Sequence, residues 1–367
     1  MTYSEEIFFT NSFWTNKEVL IQRFVDHFLG LKLLDMELEE LSPGFSQSKV
    51  FRLKGTDTQG TKHSYILKIP DFGSNSKLQV ADPFIIQREL WFFESALPGL
   101  LQNHLNIPKV LGIDNFYGKD CIWLEDRKND FLNFWSHTDL RLAVRYCADL
   151  HEVYLQNRKY IDGLTWLSRQ AYRNYELHLQ EAKNNMAKLA GQPTLLSELD
   201  AKAIDQLQIC LDRYDWALKQ LCCLPMTMIH GDFHPGNIGF CPDKKLLLID
   251  WANVGIAPLG SDIGIFISLY QLFGGINAVR DPLFEQELIQ VYCYRLAEIT
   301  GWQDNLFSDV QYAVWLWAFT WGLHLRLGPG LSEILENKNI EEALRQAIVR
   351  DILDGCHRVL EKFKEFL

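Results

Sequence analysis

A short polar loop brings together residue types that could accept a proton and bind a metal ion. Residues 230–237 read HGDFHPGN, and Asp232 and Asn237 are five positions apart. Because Pro235 and Gly236 disfavour helix, the segment is predicted to be a loop that can aim both side chains at one point. The Asp232 carboxylate could accept a proton from an attacking hydroxyl, and the Asn237 amide oxygen could bind a hard cation.

A second carboxylate follows shortly after this loop. Asp250 ends the apolar run LLLID, Leu246 to Asp250, which is typical of a buried strand. An aspartate at a strand end is well placed to hold Mg²⁺, which prefers carboxylate oxygens together with substrate phosphates. We therefore predict that Asn237 and Asp250 bracket Mg²⁺ while Asp232 faces the acceptor.

Two charged residues stand in apolar surroundings in the first third of the chain. Lys68 lies in the strand pattern SYILKIP, where a lysine is unexpected, and Glu89 lies within the helical pattern FIIQRELWFF. A strand lysine paired with a glutamate of the next helix is the arrangement that kinases use to hold nucleotide phosphates. Lys68 and Glu89 are therefore candidate nucleotide-binding residues, although Lys68 could also be an edge-strand lysine that protects against aggregation and Glu89 an ordinary helix charge.

Two further segments are candidates for nucleotide contact. The turn SPGFSQSKVFRL, Ser42 to Leu53, carries Ser46 and Ser48, whose hydroxyls and backbone N–H groups could cover phosphates. The strand CIWLED, which includes Glu125, is predicted to enter a hinge where adenine would dock.

The elements that must position these residues change in character along the chain. Short apolar runs broken by turn signals predict about five antiparallel strands with helices beside them before residue 126. Long helical patterns dominate afterwards. We therefore predict an α+β fold with two lobes, residues 1–126 forming a nucleotide-binding lobe and residues 127–367 a helical lobe with the catalytic loop and acceptor site. The predicted strands are Met36–Leu41, Lys49–Lys54, Tyr65–Ile69, Ile107–Ile113 and Cys121–Leu124, and the predicted helices are Asn16–Leu29, Asp82–Leu97, Thr138–Gln156, Thr165–Leu189, Leu195–Leu221, Ser261–Phe273, Leu283–Ile299, Asp309–Leu327 and Glu341–Phe366.

Taken together, these motifs resemble the aminoglycoside phosphotransferase and choline kinase superfamily. HGDFHPGN matches the HGDxxxxN loop of that family and LLLID matches its metal-binding strand, while Cys147–Leu155 and Pro258–Phe266 resemble its flanking helical segments. The resemblance spans roughly Glu37–Phe273. It implies a two-lobed, protein-kinase-like fold and transfer of the γ-phosphate of ATP, with Mg²⁺, to a hydroxyl of an amino sugar, amino alcohol or related metabolite; GTP is not excluded as the nucleotide.

Two other function classes stay open. Families of this fold include Ser/Thr protein kinases, and the long helical stretch from about Gln156 to Pro225 could shape either a small pocket or a peptide groove. A nucleotide-binding relative without catalysis is the third alternative.

Several residues around the core motifs have more than one interpretation. His230 is expected to brace the loop through hydrogen bonds, and Asp262 is expected to cap a helix, brace the same loop, or do both. Trp317 and Trp321 share one helical face and either pack in the core or wall an acceptor pocket, where they could hold a cationic acceptor by cation–π attraction.

Composition limits the setting in which this chemistry would occur. The chain has 36 basic and 47 acidic residues, a formal charge of −11, which argues against a nucleic-acid-binding surface. Its eight cysteines form no CxxC pair, so neither a zinc motif nor a redox motif is indicated. No apolar run is long enough to span a membrane and no signal-peptide pattern precedes the first strand, so we expect a cytoplasmic protein.

Overall fold

The computed structural model describes residues 16–41, 48–70, 82, 84–169, 176–191, 198–272, 282–301, 306–322 and 326–364. The chain divides into two compact units. The sheet unit consists of Met1–Phe131 and Gly239–Ala252, and the helical unit consists of Leu132–Ile238 and Asn253–Leu367.

The sheet unit is built on one antiparallel sheet of five strands in the order β1-β2-β3-β5-β4. Helix α1 over residues 16–24, continued by a π-turn over Val25–Leu29, ends at Gly30 in the left-handed conformation, as the sequence predicts. Phe24 on this helix stacks on Trp123 of the sheet with 3.9 Å between ring centroids, so the helix covers the apolar face of the sheet. The strands are β1 Leu33–Leu41, β2 Lys49–Asp57, β3 Lys62–Ile69, β4 Val110–Phe116 and β5 Lys119–Glu125.

Two short helices follow β3 in the sheet unit, α2 over Arg88–Glu94 and α3 over Leu97–Leu101. The helix predicted to start at Asp82 begins six residues later, and residues 84–87 form turns instead. The Asp82 carboxylate forms an ion pair with Arg88 rather than capping a helix, which explains the late start. Pro83 lies outside the described residues.

A later part of the chain joins the sheet unit through backbone hydrogen bonds. Strands β7 (Ile238–Phe240) and β8 (Leu246–Leu248) pair with each other. Asn106 donates its N–H to Leu246 O at 2.7 Å and accepts from Leu248 N at 3.0 Å. These bonds attach the segment that ends in Asp250 to the unit that contains Lys68.

The helical unit carries most of the long helices and a small antiparallel pair, β6 Met226–Ile229 with β9 Gly255–Pro258. Its first helix begins at a complete capping box formed by Ser136 and Asp139. No helix in the described part of the chain combines the length and apolar character needed to cross a bilayer. The helices are α4 His137–Asp162, α5 Glu176–Ala190, α6 Glu198–Asp212, α7 Tyr214–Leu221, α8 Ser261–Leu272, α9 Pro282–Thr300, α10 Leu306–Trp317, α11 Leu331–Glu336 and α12 Glu342–Lys364.

The predicted helix boundaries are wrong at three places in this unit. Residues 164–169 are not helical, because Ser168 pairs with Gly255 in a parallel bridge and donates its N–H to Val254 O. The helix predicted over Leu195–Leu221 is divided at Arg213, whose φ of −93° and ψ of 9° lie outside the helical region. The helix predicted over Asp309–Leu327 leaves the α conformation after Trp317, where a π-turn begins. The predicted fold class is nevertheless confirmed: an antiparallel five-stranded sheet with a mainly helical remainder.

Candidate active site

In the sheet unit, one lysine lies between two carboxylates. Lys68 Nζ is 2.6 Å from Glu89 Oε2 and 2.7 Å from Asp250 Oδ1. Lys68 is 6% exposed and Glu89 1% exposed, whereas the Asp250 side chain keeps 28% of its surface accessible. The structure therefore brings together three of the charged residues that the sequence predicts to act on a nucleotide and its metal ion.

Burial and charge act on this group in opposite directions. Burial by itself would lower the pKa of Lys68, but the attraction of Asp250 and Glu89 outweighs it and raises that pKa. Burial raises the pKa of Glu89, with repulsion from Asp250 adding to it and attraction by Lys68 opposing it. Lys68 therefore remains an ammonium that two carboxylates share, which suits it to exchange one of them for a phosphate oxygen.

Asp250 itself has an unusual backbone conformation. Its φ is 63°, in the left-handed region that non-glycine residues rarely adopt, and strand β8 ends at Leu248. The predicted strand over Leu246–Asp250 is therefore two residues too long, because a residue with positive φ cannot continue a strand. The next residue, Trp251, donates its backbone N–H to Glu89 Oε1 at 3.3 Å, and its buried ring stacks on Phe92 at 4.2 Å.

In the helical unit, Asp232 and Asn237 are directly bonded. The Asn237 Nδ2 donates to Asp232 O at 3.0 Å and to Asp232 Oδ2 at 2.8 Å. Both amide hydrogens are thereby directed to Asp232, so the amide oxygen is the atom left for a cation. The donor set fits a Mg²⁺ ligand in this respect, and the same bonds orient the Asp232 carboxylate.

A histidine of the loop stands close to the same carboxylate. His234 Nε2 lies 3.6 Å from Asp232 Oδ2, and its Nδ1 accepts the backbone N–H of Gly236 at 3.0 Å. Since Nδ1 accepts, the ring proton of neutral His234 resides on Nε2, which faces Asp232. The predicted loop is thus held by contacts that its own side chains make within it.

The backbone at the start of the loop is held by Asp262, which is fully buried. Its Oδ2 accepts the backbone N–H of His230 at 2.8 Å, and its Oδ1 accepts that of Gly231 at 2.9 Å. Gly231 has φ +82°, and a Cβ there would lie 2.2 Å from Asn253 O. Only glycine fits this position, so the G of the HGD motif has a steric reason.

Asp262 in turn belongs to a buried polar cluster that includes His151. Nδ1 of His151 lies 2.6 Å from Tyr292 Oη, and its Nε2 lies 3.4 Å from Asp262 Oδ2 and 3.8 Å from Cys147 Sγ. The Cys147, His151 and Asp262 ligand atoms all lie within 4.8 Å of one another. His151 lies on the long helix α4, whereas Tyr292 lies 141 positions further along the chain and carries no local sequence signal.

The other residues predicted to contact the nucleotide are Ser46, Ser48 and Glu125. Ser48 is buried, and Ser46 lies outside the described residues. The Glu125 carboxylate accepts the N–H of Lys109 at 3.0 Å and pairs with Arg127 at 3.1 Å, so its side chain braces the edge of the sheet.

Two tryptophans are predicted either to pack in the core or to wall an acceptor pocket, and the structure describes the side chain of one of them, Trp317. Trp317 is 1% exposed, and its side chain packs on Gly264, where an added Cβ would lie 3.1 Å from Trp317 Cβ. This burial favours the core interpretation for Trp317. Trp321 lies in the π-turn after α10, and its side chain is outside the described part of the structure.

Sequence reasoning missed one residue next to Glu89. Arg88 is buried, pairs with Asp82 and donates to Ala252 O at 3.0 Å. In the sequence, an arginine beside a glutamate on a short helix looks like a solvated charge. Its burial and its bond to Ala252 O become apparent only in the three-dimensional structure.

Comparison with known proteins agrees with the motifs. The family model described as the phosphotransferase enzyme family matches residues 37–302. No sequence match among curated proteins reaches significance.

Solved structures resemble the whole chain despite low identity. Amicoumacin kinase in complex with AMP-PNP, Ca²⁺ and Ami is 13% identical with a TM-score of 0.61, and the match covers 100% of both chains. An aminoglycoside phosphotransferase from Alicyclobacillus acidocaldarius is 10% identical with a TM-score of 0.51, over 93% of this chain and 95% of that one. A Plasmodium vivax ethanolamine kinase is 12% identical with a TM-score of 0.50, over 89% and 83% of the two chains.

At these identities the structures establish the fold, which is that of protein-kinase-like phosphotransferases, and the family model covers well over half of the sequence. The chain therefore belongs to the phosphotransferase enzyme family, in agreement with the resemblance that its motifs carry.

Proposed function

We propose that this protein transfers the γ-phosphate of ATP to a hydroxyl group of a small molecule. The observation that carries the proposal is the buried Lys68 between Glu89 and Asp250, at 2.6 Å and 2.7 Å. A phosphate group would take the place of a carboxylate on Lys68, while Glu89 keeps the ammonium in position. The nucleotide would be held by residues 1–126 and the acceptor by residues 127–367.

The catalytic loop supports the same reaction. Asp232 is the proposed base for the acceptor hydroxyl, because its carboxylate is partly accessible and is oriented by Asn237. Asn237 and Asp250 are the proposed ligands of Mg²⁺, which would neutralise phosphate charge during transfer. This assignment rests on the amide oxygen left free for a cation and on the sequence motif. His230 and Asp262 are proposed to keep the loop in its active conformation.

The acceptor is proposed to be an amino sugar, an amino alcohol or a related metabolite. The fold is shared with an ethanolamine kinase and an aminoglycoside phosphotransferase, and the net charge of −11 suits a cationic acceptor. Trp321 is a candidate for the acceptor wall, whereas the burial of Trp317 makes it a supporting residue. A cytoplasmic site of action is part of the same proposal, since ATP is available there.

The first test is nucleotide-dependent thermal stabilisation, because a ligand that binds only the folded state raises its apparent stability by mass action. We expect ATP with Mg²⁺ to raise the melting temperature of the wild type and to do so much less in Asp250→Ala. Asp212→Ala is the control, since Asp212 is an exposed carboxylate paired with Lys183. A panel of amino sugars and amino alcohols then follows as acceptors.

Turnover decides between catalysis and mere binding. Asp232→Asn keeps the shape of the side chain but removes the base, so we expect nucleotide binding to persist while turnover falls by about 10²-fold or more. Absence of any shift with saturating ATP or GTP in the wild type would overturn the proposal. Binding without turnover across the acceptor panel would leave the Ser/Thr protein kinase and the non-catalytic relative, and phosphorylation of protein in a lysate would then distinguish the two.

A further inference from the structure

Arg88 is a fully buried charge whose contacts lead to the segment around Asp250. Its side chain is 1% exposed, and the guanidinium pairs with the buried carboxylate of Asp82. Its Nη1 donates to the backbone oxygen of Ala252 at 3.0 Å. A buried guanidinium is tolerated only when its hydrogen bonds are satisfied, so these contacts fix the side chain in one orientation.

Helix α2 holds the segment after Asp250 at three points. Glu89 accepts the Trp251 N–H at 3.3 Å, Phe92 stacks on the Trp251 ring with an interplanar angle of 7°, and Arg88 binds the Ala252 oxygen. The two hydrogen bonds act on the first and the third peptide group after Asp250, and the ring stacking holds the Trp251 side chain between them. All of them lie within the sheet unit.

The segment needs such support because of its backbone geometry. With φ at 63°, Asp250 occupies a conformation that costs free energy for a residue with a Cβ and persists only where the surroundings hold it. The Arg88 guanidinium is a planar fork that can bind a carboxylate and a carbonyl oxygen together. A lysine ammonium lacks that fixed geometry.

We propose that Arg88, anchored by Asp82, is a positioning residue that holds the Asp250 carboxylate where a divalent cation binds. This inference rests on the proposed function, because it assigns Asp250 to the metal ion. In this proposal Arg88 acts through its bond to the Ala252 carbonyl rather than as a ligand of the nucleotide or the metal ion.

The test must separate positioning from a general loss of stability. Arg88→Met alone leaves the Asp82 carboxylate buried without its partner and is expected to weaken folding. The double variant Asp82→Asn/Arg88→Met removes both charges and restores that balance, but it does not restore the bond to Ala252 O. The matched control is Arg295→Met, since Arg295 also pairs with an aspartate, Asp149, at 2.6 Å in the helical unit.

Two readouts are measured on the full chain, and both differ from activity. The first is the Mg²⁺ concentration that gives half of the ATP-dependent thermal shift, which we expect to rise on the order of tenfold in the double variant. The second is hydrogen exchange of the Trp251 amide without any ligand, which we expect to be faster in the double variant than in the wild type. Arg295→Met should change neither quantity.

The outcomes distinguish this inference from the proposed function. If the wild type shows no Mg²⁺-dependent shift, the proposed function fails and the inference fails with it. If the wild type shows the shift and the folded double variant has the same Mg²⁺ midpoint and the same Trp251 exchange, only the role of Arg88 is overturned. Should the double variant not fold, Arg88→Lys decides by the same two readouts, because it keeps the charge opposite Asp82 and loses the fork.

Discussion

The ammonium of Lys68 lies 2.7 Å from the carboxylate of Asp250, a residue 182 positions later in the chain. The contact joins the central strand of the sheet to the end of the LLLID motif. It places a cation that suits phosphate next to a carboxylate that suits a metal ion.

Replacing Lys68 with methionine should weaken nucleotide binding. Lys68→Met removes the phosphate partner and leaves Glu89 and Asp250 without their shared cation, so stability should also fall by about 3–5 kcal/mol. We expect the KM for ATP to rise at least tenfold, measured by steady-state kinetics beside urea unfolding. Lys54→Met is the control, because Lys54 is an exposed strand lysine paired with Glu39. Equal effects of the two substitutions on KM would contradict the assignment.

Replacing Asp262 should affect turnover more than nucleotide binding. In Asp262→Asn one carboxylate oxygen becomes an amide nitrogen, so one of the backbone N–H groups of His230 and Gly231 faces another donor. The unsatisfied group should cost about 1–3 kcal/mol, and the displaced loop should lower kcat on the order of 10²-fold.

The control for Asp262 is another aspartate that accepts a backbone N–H at a helix start. Asp139→Asn weakens the capping box of α4, where Asp139 accepts from Ser136 N at 2.9 Å. It should cost about 1 kcal/mol and leave kcat unchanged. A normal kcat in folded Asp262→Asn would show that the loop does not depend on these two bonds.

Two glycines with almost the same backbone angle allow a steric prediction. Gly231 has φ +82° and its added Cβ would meet Asn253 O at 2.2 Å, whereas Gly60 has φ +84° and open space around it. Gly60→Ala should therefore cost only about 1–2 kcal/mol, from the left-handed conformation alone. Gly231→Ala must also move backbone, so it should cost more than Gly60→Ala and abolish turnover. Unfolding in urea and kinetic assays on both variants measure the difference, and equal costs would refute the steric argument.

Features that depend on the local sequence pattern could be predicted, whereas features that depend on contacts between distant residues could not. The five strands and the loop around Asp232 follow from alternation and from proline and glycine, which act locally. The early end of β8 and the late start of α2 depend on the left-handed Asp250 and on the Asp82–Arg88 pair, which no periodicity encodes. A long-range contact also explains why the helix predicted from Thr165 does not form near Ser168. The backbone of Ser168 pairs with Gly255, which lies 87 positions later in the chain. Arg88 was missed because burial, rather than residue type, makes it distinctive.

The buried thiols predict how stability depends on alkaline pH. Burial raises the pKa of Cys121, Cys293 and Cys356 to about 12 each. A thiol in the unfolded chain ionises near pH 8.5. Between that pH and about 12, the unfolded chain has released protons that the folded protein still holds, so stability falls as pH rises.

The loss should begin near pH 8.5 and reach about 1.4 kcal/mol per pH unit for each buried thiol. Urea unfolding at pH 8, 9 and 10 measures the slope. Cys356→Ala should lower stability at every pH through the lost packing, but it should make the slope shallower by one thiol's share. Cys222→Ser is the control because Cys222 is exposed, and it should leave the slope unchanged. If Cys356→Ala kept the wild-type slope, its thiol would have to ionise equally in the folded and unfolded states, contrary to its burial.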